Sequence, residues 1–248
     1  MEITSRKNPL IQQVRRLLTS RKEREETGLF VSDGTKLLSE AIRWYDGLET
    51  VICTRDVLPD IPAEINTVTV PEDIMAYVSP MQAPQGALLI CRMPEKKPFS
   101  PVPGMLLLDG IQDPGNLGTI LRTADAFCVP VALLDGCADP YNHKTVRASM
   151  GAVFRSPVYQ TTWQTAVNAC RDAGIPLAVT ALSENPSDIR RASVGQMAVV
   201  IGSEGNGVRP EIMEAAEKKL IIPMSSRCES LNAAVASAIV LWQMYQEK

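Results

Sequence analysis

Apolar positions in the first third of the chain recur at two periods. In the run NPLIQQVRRLLTSRKEREETG, Leu10, Ile11, Val14, Leu17 and Leu18 fall at the spacing of one helical face. Pro9 suits a first helical turn and Gly28 suits a stop, so the pattern predicts a helix between them. LFVSDG reads as a short strand running into a turn, and TKLLSEAIRW returns to helical period. TVICT, TVTV and ALLIC read as strands, the last two separated by PEDIMAYVS. This alternation predicts a small α/β domain over residues 1–93.

Next comes a proline-rich stretch, RMPEKKPFSPVPG, with two adjacent lysines. That is linker composition, and it sets a boundary at residues 94–104. Beyond it, over 105–248, apolar runs alternate with helical periods again. MLLLD, PVALLDG, PLAVTAL, MAVVIG and LIIPM read as strands; LGTILRTADAF, TAVNACRDAG, RPEIMEAAEKK and SLNAAVASAIVLWQMYQ read as helices. Strands that are apolar throughout predict a mostly parallel sheet covered on both faces. The last helix carries two apolar stripes, Leu231, Val235, Ile239, Trp242 and Ala234, Ala238, Leu241, Tyr245. A helix apolar nearly all round predicts burial, inside the chain or partly against a second one.

Composition adds limits. At 248 residues, 45% apolar and 21% charged, the chain is long enough for a substantial core and ordinary for a globular protein. Its net charge is −3. The first 24 residues are nonetheless basic, through Arg6, Lys7, Arg15, Arg16, Arg21, Lys22 and Arg24. A polyanion such as RNA and a solvated helix face both explain that. The N-terminus lacks the apolar core of a signal peptide, and no run reaches the ~20 apolar residues of a membrane span, so a cytoplasmic protein is expected. Cys53, Cys91, Cys128, Cys137, Cys170 and Cys228 include no CxxC pair and read mostly as small core residues. The single histidine, His143, lies in the polar stretch DPYNHKTVRASMG and reads as a loop residue, which leaves no multi-histidine metal site. Arg147, in the same stretch, reads equally as a phosphate contact or a solvated residue.

Parallel sheets gather ligand sites at the carboxyl ends of their strands. Three strand ends here carry unusual loops. MLLLD continues as GIQDPGNLGTILRTADAF, with Asn116 ahead of a helix that bears Arg122. MAVVIG continues as SEGNGVRPE, and LIIPM as SSRCESLNAAVA. Glycine in such loops lets a ligand approach the backbone. Singly, each is an ordinary signal: Asn116 reads as the cap of the Leu117 helix, GSEGNG as a turn with a helix cap, and Ser230 and Asn232 as helix-start residues. Neither GxGxxG nor GxxxxGK[ST] occurs, which disfavours a nicotinamide-dependent oxidoreductase or a P-loop protein.

Together and in this order, the three loops resemble the SpoU (TrmH-like) branch of the SPOUT superfamily of RNA methyltransferases. DPGNLGTILRTADAF is similar to the first motif of that family, with Asn116 and Arg122 at signature positions. VIGSEGNGV is similar to the second, with Gly202, Glu204 and Gly207. IPMSSRCESLNAAVASAI is similar to the third, with Ile222, Pro223, Ser230, Leu231 and Asn232. Val208 and Ala233-Ala234 depart from the usual residues without touching a polar signature position. ITSRKNPLIQQVRRL with GLFVSDG resembles the substrate-binding domain that precedes many members, with Asp33 where glutamate is commoner.

The resemblance implies a methyltransferase that uses S-adenosylmethionine to methylate a ribose 2′-hydroxyl in structured RNA, ribosomal RNA by preference. A transfer-RNA enzyme and a catalytically inactive RNA-binding protein are the alternatives. It also implies a knotted (trefoil) α/β catalytic domain, no metal, and a homodimer formed through the catalytic domain and the C-terminal helix. By carry-over, Gly202, Ile222, Met224 and Leu231 contact the cofactor, and Asn116, Arg122, Glu204, Ser230 and Asn232 serve catalysis. The attacking hydroxyl must lose a proton. Arginine, with a pKa above about 12, is a poor base, and a shift of roughly five units at about 1.4 kcal/mol each opposes that role. Arg122 is therefore expected to stabilise the alkoxide and clamp phosphate, with Glu204 orienting it or taking the proton. Ser230 and Asn232 would position ribose and arginine. A surface ion pair of Arg122 with Asp125 is the structural alternative.

Overall fold

The computed structural model describes residues 2–58, 61–181, 186–225, 227 and 230–247. The chain divides into two compact units. One joins Met1–Glu95 to Asp139–Arg155, and the other joins Lys96–Ala138 to Ser156–Lys248.

In the first unit, two helices occupy the run whose periodicity predicts one. α1 (Pro9–Thr19) opens on Asn8, whose side chain accepts from the Leu10 amide, and α2 (Arg21–Thr27) ends at left-handed Gly28. The break is Ser20. Its extended backbone closes α1 onto the Arg16 carbonyl, while its hydroxyl caps α2 by accepting from the Glu23 amide at 3.2 Å. The sheet holds β1 (Leu29–Asp33), β2 (Leu48–Cys53), β3 (Thr67–Thr69) and β4 (Ala87–Arg92) in the order β1-β4-β2-β3, with β4 antiparallel to both neighbours. Ile11, Val14, Leu17 and Leu18 pack into the core with Val31, Ile52 and Leu88. α3 (Thr35–Trp44) and α4 (Glu72–Val78) complete this part.

The second unit is a seven-stranded sheet in which every pairing is parallel. Its strands are β5 (Met105–Asp109), β6 (Val131–Leu133), β7 (Val158–Gln160), β8 (Leu177–Thr180), β9 (Ser187–Asp188), β10 (Ala198–Gly202) and β11 (Lys218–Ile221), in the order β7-β6-β5-β10-β8-β11-β9. The helices are α5 (Pro114–Ala126), α8 (Trp163–Asp172), α9 (Pro210–Ala215) and α10 (Ala233–Gln246). RPEIMEAAEKK is helical only to Ala215. The Glu217 amide donates to the Leu177 carbonyl at 2.9 Å, so β11 starts at Lys218, earlier than the apolar pattern indicates. α10 is buried on one side only. Val240, Leu241 and Met244 are enclosed, whereas Val235 and Trp242 each keep 49% of their surface. Phe127 packs at a tilt beside Trp242 and Tyr245, with ring centroids 5.7 and 5.3 Å away.

Asp139–Arg155 follows β6 in sequence yet packs with the first unit. The polar stretch around His143 is helical rather than a loop, as α6 (His143–Ala148) and α7 (Ala152–Arg155). Asn142 caps α6. The buried Arg24 guanidinium donates twice to Asp139 Oδ2, at 2.8 and 2.7 Å, and to the Leu17 carbonyl at 2.5 Å. Tyr141 and Phe154 add their rings to Phe30. Among the described residues no helix is long and apolar enough to cross a membrane, and no cluster of three or more His, Cys, Asp or Glu could hold a metal ion. Cys53, Cys91 and Cys170 are buried and Cys128 is exposed; Cys228 lies outside the described residues.

Candidate active site

The register of the sheet places Gly202, the last residue of β10, beside Asp109, the last residue of β5. The loops that leave β5, β10 and β11 therefore rise from one edge. After β5 the chain turns into α5, and Asp113, not Asn116, is the cap: its carboxylate accepts from the Asn116 amide at 2.7 Å. Asn116 thus sits in the first helical turn with its side chain available for other work.

That side chain joins the other two loops. Asn232 caps α10, with Oδ1 accepting from the Ala234 and Val235 amides at 3.0 and 3.3 Å. With its oxygen so occupied, Asn232 turns Nδ2 outward and donates to Asn116 Oδ1 at 3.1 Å. Asn116 must then present Nδ2 elsewhere, and it donates to Glu204 Oε1. The helix cap thereby sets the orientation of two amides and holds one carboxylate.

Glu204 and Ser230 border a cavity of about 380 Å³, lined also by Gly202, Ile222, Met224 and Leu231. Its wall is largely apolar, from Ile201, Val208, Met213 and Leu220. Gly202 is required by space: a Cβ there would lie 2.0 Å from the Gly207 carbonyl carbon and 2.2 Å from the Val208 nitrogen. The segment after Gly202 folds back as a hairpin, with Ser203 N donating to Gly207 O at 3.2 Å and Gly207 N to Ser203 O at 2.9 Å.

Two residues stand outside this cluster. The Arg122 side chain is exposed on α5 and makes no hydrogen bond or ion pair among the described residues, while Asp125 accepts from the Ser156 hydroxyl at 2.5 Å. His143 belongs to the first unit. Burial lowers its pKa, partly offset by a hydrogen bond with the Leu18 backbone and reinforced by Lys144, Arg24 and Arg147, and its Nδ1 has no hydrogen-bond partner among the described residues. Burial also pushes the Cys137 thiol, near the strand ends, up to about 11, and that thiol donates to the Leu108 carbonyl at 3.2 Å.

One pair was not singled out by sequence reasoning. Asp109, almost fully buried, receives Arg209 through the backbone amide at 2.9 Å and through Nε at 2.8 Å, with Nη2 as a third donor. The available signal was an acid closing an apolar strand and an arginine directly before Pro210.

Residues 103–242 match the family model described as the SpoU rRNA methylase family, and residues 8–89 match the MRM3-like substrate binding domain. The chain is 33% identical over 247 residues, 98% of each protein, to the 23S rRNA (guanosine(2553)-2'-O)-methyltransferase RlmP of Bacillus subtilis (strain 168). Among solved structures it is similar to the AdoMet-bound rRNA methyltransferase from Sinorhizobium meliloti, at a TM-score of 0.87 and 30% identity over 99% of this chain and 97% of that one. It is also similar to the SpoU methyltransferase AviRb from Streptomyces viridochromogenes in complex with AdoMet, at 0.83 and 25% over 97% and 98%.

Proposed function

We propose, from the premise that this chain belongs to the SpoU rRNA methylase family, that it transfers a methyl group from S-adenosylmethionine to a ribose 2′-hydroxyl of RNA, with ribosomal RNA as the substrate. The observation that carries this reading is the meeting of Asn116, Glu204 and Asn232 at the border of the cavity. The residues present fit the cofactor. About 380 Å³ lies in the range of small-molecule sites. Apolar walls suit an adenosine, and the glycine-bearing hairpin offers backbone groups at the rim. Gly202, Ile222, Met224 and Leu231 would hold it. Bound there, S-adenosylmethionine supplies an electrophilic methyl group.

The rest of the chemistry falls to side chains. The attacking hydroxyl gives up its proton, and Glu204, held by Asn116, is the carboxylate at hand to receive it. Asn232 fixes Asn116 and thereby Glu204. Ser230, on the cavity rim, positions the ribose. Arg122 stays charged and stabilises the developing alkoxide or a neighbouring phosphate.

We assign RNA binding to residues 1–93 and methyl transfer to 105–248, with 94–104 as linker. Arg6 and Arg15 stand 4.7 and 4.4 Å from the Tyr77 ring centroid, which gives the basic N-terminal face a cationic and aromatic surface for RNA. A homodimer is part of the proposal: a second copy laid over α5 and α10 would cover Val235, Ile239, Trp242 and Tyr245 and approach Arg122. The trefoil threading and a cytoplasmic location complete the reading. Incubation with methyl-labelled S-adenosylmethionine and RNA from a strain lacking the gene tests the substrate class. Label in the large ribosomal species supports ribosomal RNA, and label confined to transfer RNA contradicts it.

A further inference from the structure

The hairpin that follows β10 is a poor candidate for holding itself in shape. Two backbone hydrogen bonds close it, the Asn206 amide adds a bond to Ser203 Oγ at 3.3 Å, and Glu204, Gly205, Asn206 and Gly207 are all exposed. An isolated hairpin of this kind is marginal in water. It nevertheless supplies Ser203, Glu204, Asn206, Gly207 and Val208 to the cavity lining.

Its anchor is the residue that follows. Arg209 donates from its backbone amide to Asp109 Oδ2 and from its guanidinium to Asp109 Oδ1, while Nη2 also reaches the Asp135 carbonyl at 2.9 Å. One side chain therefore ties the exit of the β10 loop to the ends of β5 and β6. Asp135 is itself fixed, because its Oδ2 accepts from the Trp163 amide at the start of α8. The Asp109 side chain is only 3% exposed, so its charge is answered by Arg209 rather than by water. A buried ion pair gives little net stability over apolar residues of the same volume. What an apolar pair could not supply is the direction of these bonds, and direction is what a ligand loop needs.

We propose that Arg209 is a positioning residue for the cofactor: by clamping Asp109 and the Asp135 carbonyl it holds residues 203–208 in the conformation that binds S-adenosylmethionine, and so sets its affinity. The inference rests on the reading of the cavity as the cofactor site. Asp109 is the other half of the clamp, and neither residue lines the cavity itself.

Calorimetric titration of the full-length chain with S-adenosylhomocysteine, which involves no chemistry, tests this alongside deuterium exchange and thermal melting of the ligand-free protein. Arg209→Met is expected to raise the dissociation constant roughly tenfold, the scale of one lost charged hydrogen bond. Arg209→Lys keeps a cation beside Asp109 but loses the fork to Asp135, and is expected to fall between the two. Amides of 203–208 should exchange faster in both variants while the β5 and β8 amides do not. Should the methionine variant fail to fold, the lysine variant carries the test. A dissociation constant equal to that of the wild type in a folded variant, or unchanged exchange in the hairpin, overturns the proposal. Wild-type protein that fails to bind S-adenosylhomocysteine overturns the cofactor reading, and this proposal with it.

Discussion

The side-chain amide of Asn232 donates to Asn116 at 3.1 Å because the other end of the same amide caps α10. A local helix signal and a long-range polar cluster thus share one residue, and they can be separated. Asn232→Asp keeps a capping oxygen but replaces the donor with a charge facing the cluster. It is expected to melt close to wild type and to lose methyl transfer. Asn232→Ala loses both, with a cap penalty of about 1 kcal/mol. Thermal melting and transfer rates measured on the same preparations distinguish the two variants.

Gly202→Ala and Gly205→Ala form a second contrast. A Cβ on Gly202 collides with the Gly207 backbone, whereas one on Gly205 meets nothing within 4 Å. The first change is expected to cost about 1–3 kcal/mol and to abolish S-adenosylhomocysteine binding, and the second to leave both unaltered. Equal behaviour of the two in titration would argue that the hairpin does not shape the cavity.

The Arg122 side chain makes no hydrogen bond or ion pair among the described residues, so its removal should not disturb the fold. Arg122→Met is expected to bind S-adenosylhomocysteine as wild type does, yet to turn over roughly a hundredfold more slowly, the scale of a lost oxyanion stabiliser. Rate loss accompanied by an equal loss of stability would return Arg122 to a structural role.

The exposed stripe on α10 predicts self-association. Trp242→Glu puts a charge in its middle, beside Phe127 and Tyr245. Sedimentation is expected to change from dimer to monomer, and a wild type that sediments as a monomer would remove the dimer from the account.

With a single histidine in the chain, its imidazole proton signal titrates alone. Burial, reinforced by nearby cations, holds the folded pKa of His143 below its ordinary 6.5. The unfolded chain therefore takes up the proton first as pH falls. The stability linked to His143 is fully present above about 6.5 and is lost as pH drops from there through the folded pKa. An NMR titration midpoint at or above 6.5 would contradict this.

The parallel sheet was legible because β5, β6 and β10 are apolar along nearly their whole length, and the three motifs were legible because each follows an apolar run, MLLLD, MAVVIG or LIIPM. What escaped depends on partners distant in sequence. Ser20 reads as one more polar position on a helix until its hydroxyl is seen capping α2. Lys218 and Lys219 look helical and become strand because β8 pairs with them. Asp139–Arg155 gives no sign in its own pattern of packing with the first unit, since the decisive contact, Arg24 with Asp139, spans 115 positions. Asn116 reads as the cap of the Leu117 helix, but that role belongs to Asp113, three residues earlier.

The most direct test of the central claim is where the methyl group goes. RNA labelled by the purified protein is hydrolysed with alkali, which cleaves only where a 2′-hydroxyl remains. The account predicts label in an alkali-resistant dinucleotide, lost in Asn116→Ala. Label released in mononucleotides would place the methyl on a base and contradict the assignment of this site to ribose.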